Sequence, residues 1–245
     1  MKNKKLKATL SITGYFLLLL AICFVGALVF HSYYYEAVYI SGASMSPALM
    51  GDEHEQEGSI VDFGIVDAHK SAINQVKRFD IVSTYFPDDY LANGNLKAAA
   101  RKKIKRVIAL PNETFTIKDG LLSVKEGEEF VSVPYTFDVA LTNYKDTPEP
   151  ITLGEKEYWV LGDNRTTTTS SRDCATLKKP IKKEYIAGVL VAIEGQGELK
   201  TKNYRCDECG AVFSKERSSC QKCGSWTYSV QYKLVNKKYH WPKFF

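Results

Sequence analysis

The sequence predicts a mainly β domain carried on one N-terminal transmembrane helix, with a small cysteine-rich insert near the C-terminus. Three observations predict it. Ala8–Phe30 is an uncharged run of 23 residues behind a lysine-rich start. After it come short segments rich in Val, Ile, Tyr and Phe, bounded by turn residues, with weak helical periodicity. Near the end stands Cys-x2-Cys-x10-Cys-x2-Cys, from Cys206 to Cys223.

The 23 uncharged residues would make a helix about 34 Å long, enough to cross a hydrocarbon core of roughly 30 Å. A cleaved leader has a shorter apolar core and a small-residue exit. This run leaves through His31-Ser-Tyr-Tyr-Tyr35, and tyrosines suit a membrane–water interface. Residues 1–7 hold four lysines and no acid. The positive-inside rule keeps them in the cytoplasm and puts residues from 31 onward on the outer face. The expected organisation is a basic cytoplasmic tail at 1–7, an anchor at 8–30 and an outer domain at 31–245. The expected location is the cell membrane, with a single pass.

With 44% hydrophobic and 25% charged residues over 245 positions, the chain is neither disordered nor fibrous. The net charge of +5 is unevenly spread: 198–245 carry ten Lys/Arg against four Asp/Glu, and the stretch between the two basic ends is net acidic. That distribution argues against a nucleic-acid-coating protein.

Strands are expected at Ala37–Ile40, Asp80–Tyr85, Arg106–Leu110, Glu113–Lys118, Leu121–Val124, Tyr158–Leu161 and Tyr185–Ile193. Asp119-Gly120 predicts a tight hairpin turn. Leu96–Lys103 is the best short helix candidate after the anchor, and 51–58, 87–95 and 143–150 are expected loops.

Ser44 lies in a small-residue turn, Ser41-Gly-Ala-Ser-Met-Ser-Pro47, and is open enough to be a nucleophile. Such turns are also common without chemistry. His31, His54, His69 and His240 lack a triad context, and no Gly-x-Ser-x-Gly elbow is present. A lysine can act as base when burial keeps its amine neutral. Lys105 precedes an apolar run that reads as a buried strand. The alternative is that it belongs to a solvated basic run with Arg101, Lys102, Lys103 and Arg106.

In the cysteine module, Gly210 and Gly224 each follow the second cysteine of a pair. That is the pattern of zinc knuckles, where glycine permits a positive φ and backbone N–H groups face the thiolates. Cys206, Cys209, Cys220 and Cys223 would close a structural tetrahedral site. Two disulfides are a second reading, because thiols outside the cytoplasm tend to oxidise, and free thiols a third. The module spans 205–227 and interrupts the β domain, 31–204 and 228–245. Its Arg205, Lys215, Arg217 and Lys222 offer a candidate contact face for an anionic surface, with plain solvation as the alternative.

Four segments, taken in order, resemble the type I signal peptidase family of bacteria. Ser-Gly-Ala-Ser44-Met45-Ser-Pro47 resembles its serine box. Arg78-Phe-Asp80-Ile-Val82 is similar to its Arg-Gly-Asp-Ile-Val. Ile104-Lys105-Arg106-Val-Ile-Ala-Leu-Pro111 resembles its lysine box, and Gly162-Asp163-Asn164-Arg165 with Ser171-Arg172 its last box. Tyr239-His-Trp241-Pro242 is like the ending of Gram-positive members. The resemblance implies an all-β catalytic fold that removes signal peptides from exported precursors beside the membrane lipid. It implies Ser44 as nucleophile, Lys105 as general base, Met45 and Pro47 beside the substrate, and no cofactor for catalysis. Thr168 stands where the family has a serine that hydrogen-bonds the lysine. Asp163, Arg165 and Arg172 are implied as site support. The departures are Ala48, Ala109, Asn112 and Glu113, and the tract Thr166–Ser170, which removes the acidic partner expected for Arg172. Gly42 supplies no side-chain oxyanion donor, which leaves the Ser44 backbone N–H. The competing reading is a catalytically weak relative that binds a partner through the basic ribbon.

Overall fold

An apolar run with no proline has nothing to interrupt a helix, and Lys2–Tyr34 forms one continuous helix, α1, of 33 residues. The structure is a computed structural model. It describes residues 2–52, 56–98, 100–135, 147, 149–164 and 173–245, and all their side chains but those of 2–12 and 31–32. The chain divides into two compact units, Met1–Glu36 and Ala37–Phe245. Within the first, Thr13–Phe30 has mean hydropathy 2.4 and is long and apolar enough to cross a membrane. Leu17, Phe24 and Val29 are exposed within this unit, so its apolar surface has no protein cover. Lipid is the environment that such an all-round apolar helix suits.

The second unit is mainly β. Its strands are β1 (Tyr35–Tyr39, begun in the first unit), β2 (Ile60–Asp67), β3 (Ile81–Thr84), β4 (Lys103–Ala109), β5 (Thr114–Lys118), β6 (Leu121–Glu126), β7 (Glu129–Ser132), β8 (Ile151–Thr152), β9 (Glu157–Leu161), β10 (Ile181–Lys182), β11 (Ile186–Cys206), β12 (Val212–Phe213) and β13 (Tyr228–Phe244). Two short helices, α2 (Lys70–Asn74) and α3 (Cys174–Leu177), connect them. One sheet runs β1-β2-β11-β3-β4-β9-β10, with β12 and β13 also paired to β11; a smaller sheet runs β7-β6-β5-β8. The β5–β6 hairpin turns through Asp119 and Gly120, with φ of +51° and +74°, and pairs Lys118 with Leu121. Two positive φ values in a two-residue turn match the twist of the strands, which is why Asp-Gly works there.

The core forms two clusters. Phe86, Val107, Ile108, Phe115, Trp159 and Leu161 belong to the larger. Ile40, Met45, Leu49, Val66, Ile81, Leu190 and Ile193 form the smaller, beside Ser44. Both faces of β4 are buried from Lys105 to Ala109.

Two expectations change. The helix expected over 96–103 does not form in its described residues. Leu96 bridges to Tyr90, Lys97 N–H donates to Asp89 O, and Lys103 opens β4 with its amine 2.8 Å from Asp89 Oδ2. A tertiary ion pair and sheet pairing outweigh a weak local propensity. The strand expected to stop at Ile193 continues to Cys206, pairing along most of its length with β13. Gly195 is needed for close approach: a Cβ there would sit 2.2 Å from Lys238 O. Glycine inside a strand marks such contacts and bulges, and the register slips between Ile193 and Gly195.

Candidate active site

Ser44 sits on a single 3-10 turn, Ala43–Met45, which follows β1. The turn is anchored on both sides. Met45 is fully buried in the smaller core cluster and Pro47 is exposed. Leu49 N–H donates to Met45 O, and Met50 N–H donates to Asp62 Oδ2 at 2.7 Å. The chain then returns so closely that a Cβ at Gly51 would lie 2.2 Å from Gly42 O. A side chain at 51 would push the whole turn outward.

Lys105 comes from the middle of β4, opposite Val82 of β3. Its side chain is carried inward and is only 3% exposed. Its Nζ lies 2.7 Å from Ser44 Oγ and 2.9 Å from Ile104 O. Burial disfavours a charged amine, whereas the solvated basic run would leave it in water. The neighbouring Arg106 points into a second buried site. Its Nε and Nη2 donate to the Asp163 carboxylate at 2.9 and 2.6 Å, and its Nη1 donates to Phe79 O at 2.9 Å. Phe79 holds φ +72° and packs its ring 5.4 Å from Tyr135, in the position where the family has glycine.

The turn after β9 brings the third wall. Asn164 N–H donates to Ser44 O at 3.0 Å, and its side-chain Nδ2 donates to Ala43 O at 3.0 Å. Asp173, fully buried, caps α3 by accepting from Thr176 N–H at 3.0 Å, and also faces Gly162 N–H. Asp163 therefore lies beside Arg106. Thr168, Arg165 and Arg172, together with the rest of the 166–170 tract, fall outside the described residues. Arg106, Asn164 and Asp173 are site-building residues that the sequence reading passed over. Arg106 read as part of a basic run, and only the strand alternation of β4 could have separated it from its solvated neighbours.

Glu113 takes over the next turn. Its Oε2 accepts Leu110 N–H at 2.6 Å, and its Oε1 pairs with Arg78 at 2.5 Å. Asn112, in place of a family glycine, holds φ +65°.

The four thiols of the cysteine module converge. Cys206 and Cys223 sulfurs lie 3.5 Å apart, Cys209 and Cys220 sulfurs 3.6 Å, and all four lie within 4.8 Å of one another. Gly210 and Gly224, at φ +71° and +76°, return their N–H groups to Cys206 O and Cys220 O. The N–H of Cys209 pulls the Cys206 thiol below its ordinary value. Those of Lys222 and Cys223 bring the Cys220 thiol down to about 6. The first knuckle lies against the loop that leads to β4: a methyl at Gly210 would sit 3.5 Å from Ala98 Cβ. Arg205, expected on a basic contact face, turns its guanidinium against that same glycine, with its Nε buried.

A family model described as signal peptidase, peptidase S26, matches residues 12–193. Signal peptidase I of Bacillus licheniformis is 29% identical over 170 residues, 66% of this chain and 77% of that protein. A signal peptidase I crystal structure from Enterococcus faecalis V583 is 24% identical, with a TM-score of 0.33, over 47% of this chain and 97% of that one. The family match contains Ser44, Lys105 and Asp163 and ends before the cysteine module. With three quarters of its length matched in this way, the chain belongs to the signal peptidase family, peptidase S26.

Proposed function

We propose that this chain is a membrane-anchored serine endopeptidase that removes signal peptides from exported precursors, with Ser44 as nucleophile and neutral Lys105 as general base. The observation that carries this reading is the 2.7 Å approach of a buried lysine amine to Ser44 Oγ. A neutral amine has one lone pair. With an N–H directed to Ile104 O, the amine faces Ser44 and its lone pair accepts the Ser44 proton as Oγ attacks the scissile carbonyl. The developing oxyanion takes the Ser44 backbone N–H. Collapse of the tetrahedral intermediate needs a proton on the leaving amine, and the Lys105 ammonium supplies it. The same amine then takes a proton from water as it attacks the acyl-enzyme, and returns it to Ser44 Oγ as the acid product leaves.

The anchor fits this task. The proposed topology keeps residues 1–7 in the cytoplasm and the β domain outside. A precursor threaded through the same bilayer then presents its cleavage site at raised local concentration. Lipid is the partner of α1, and no nucleic acid is implied.

The four cysteines are read as a structural zinc site in a ribbon at 205–227 within the catalytic β domain. Four thiolates at Zn–S of about 2.3 Å stand roughly 3.8 Å apart in a tetrahedron, which the 3.5 and 3.6 Å pairs approach. Those separations are too long for S–S bonds. Four protein ligands leave no position for substrate, so the metal would hold the ribbon and take no part in cleavage.

The test is cleavage of a precursor with an Ala-x-Ala site by purified protein. We expect the intact chain to cut it and Ser44→Ala to leave it whole. Cleavage by Ser44→Ala, or none by the intact chain, overturns the reading; inactivity would turn attention to the ribbon as a binding module.

A further inference from the structure

We infer that Asn164 is a positioning residue that aims the oxyanion-binding N–H of Ser44, an inference that rests on Ser44 being the nucleophile. Ala43 C=O and Ser44 N–H are the two ends of one planar peptide unit. The carbonyl end accepts Asn164 Nδ2–H at 3.0 Å. Fixing that end fixes the direction of the N–H at the other end. The next peptide unit is held too, because Ser44 O accepts Asn164 N–H at 3.0 Å. One residue therefore grips both peptide units that flank the nucleophile.

The grip matters because the plane belongs to a very short turn. The turn is one 3-10 turn of three residues, closed by Ser46 N–H to Ala43 O at 3.0 Å. Gly42 precedes it and adds no side-chain donor, so the Ser44 N–H carries the oxyanion without help from that position. A misaimed N–H then has no side-chain donor at position 42 to replace it. A donor on Ala43 O also polarises the amide and makes its N–H a stronger donor, since hydrogen bonds in series reinforce one another.

Asn164 is itself well seated. It follows Asp163, which two hydrogen bonds lock to Arg106, the residue next to Lys105 on β4. Base, nucleophile turn and oxyanion peptide are thereby referred to one strand. Preorganisation of this kind costs no rearrangement when charge develops, which is why such donors act on the transition state.

Two variants test it against an active wild type and an inactive Ser44→Ala control, which establish the Ser44 reading separately. Asn164→Ala keeps the backbone hydrogen bond and loses the one to Ala43 O. We expect kcat and kcat/KM to fall together by about tenfold, with KM nearly unchanged, because a lost transition-state interaction lowers both. Asn164→Asp is almost the same shape. Protonated, it still donates to Ala43 O; ionised, it faces that carbonyl with a negative oxygen. Its activity relative to wild type should therefore fall as pH rises through the carboxyl titration, whereas the Ala variant's ratio stays flat. A structural role would not produce that pH signature, and the Asp variant serves even if the Ala variant folds poorly. Wild-type kcat in Asn164→Ala, a loss confined to KM, or a pH-flat ratio in Asn164→Asp overturns the inference.

Discussion

Arg106 and Asp163 form a buried two-point ion pair, Nε to Oδ1 at 2.9 Å and Nη2 to Oδ2 at 2.6 Å, with side chains 5% and 0% exposed. The pair joins the strand of Lys105 to the turn of Asn164. Its geometry is bidentate, and the third guanidinium nitrogen is satisfied by Phe79 O. Asp163→Ala would leave a buried guanidinium without its counter-charge. Breaking such a pair from one side costs about 3–5 kcal/mol. Urea unfolding should show a loss of that order for Asp163→Ala. The double variant Arg106→Met with Asp163→Leu should lose far less, because it strands no charge. Equal losses would mean that the pair is not what holds these two segments.

The base assignment predicts a pH profile. Lys105 accepts the serine proton only when neutral, so kcat/KM should rise with pH as the amine deprotonates. Lys105→Arg keeps a cation at every usable pH and should abolish cleavage. A cleavage assay across pH checks both. Full activity in Lys105→Arg would place the base elsewhere.

Much of this site is legible before any coordinates. The apolar run, the Asp119-Gly120 turn and the strands read at Arg106–Leu110 and Tyr158–Leu161 follow from local pattern, because each is decided by its own few residues. Departures from the family also explain themselves locally: Asn112 tolerates the positive φ of the glycine that it replaces. What pattern does not convey is pairing at a distance. Asp163 meets Arg106 across 57 positions and Asn164 meets Ala43 across 121. The helix read into 96–103 failed for the same reason, since Asp89 draws Lys103 into a strand. β11 runs past the expected end at Ile193 through Gly195 and Gly197. Their role is to let β13 approach.

Cys174 gives a stability prediction at alkaline pH. Its sulfur is fully buried and accepts Val160 N–H at 3.3 Å. Burial pushes the thiol up from its ordinary 9.0 to about 12, against the opposing pull of that N–H. Between these values the unfolded chain gives up a proton that the folded chain keeps. The unfolded state then binds fewer protons, so stability falls with rising pH, by about 1.4 kcal/mol per unit. The thiol's contribution is whole below pH 9 and is lost toward pH 12. Denaturant titrations of wild type and Cys174→Ala should show a stability difference that is constant up to about pH 8. Above 9 it should shift against the wild type. A difference that stays constant from pH 7 to pH 10.5 would show that the thiol ionises freely in the fold.

The cysteine module predicts one zinc per chain. Its 205–227 segment is too short to bury a core, and its sulfur cluster joins β11 to β13 at Cys206 and Tyr228, which are paired. Metal binding should then supply much of the local folding free energy, on the order of 10 kcal/mol for thiolate sites. Cys206→Ser should lower the melting temperature and the yield, and a strong chelator should do the same to the intact chain. Cleavage should survive in the molecules that stay folded, because no zinc position faces the substrate. Elemental analysis with intact mass, on protein purified without reductant, separates the two chemistries. One zinc per chain on an unoxidised polypeptide supports the site. A chain four hydrogens light with no metal means two disulfides, for which the Cys206–Cys223 and Cys209–Cys220 pairs would have to close from 3.5 and 3.6 Å.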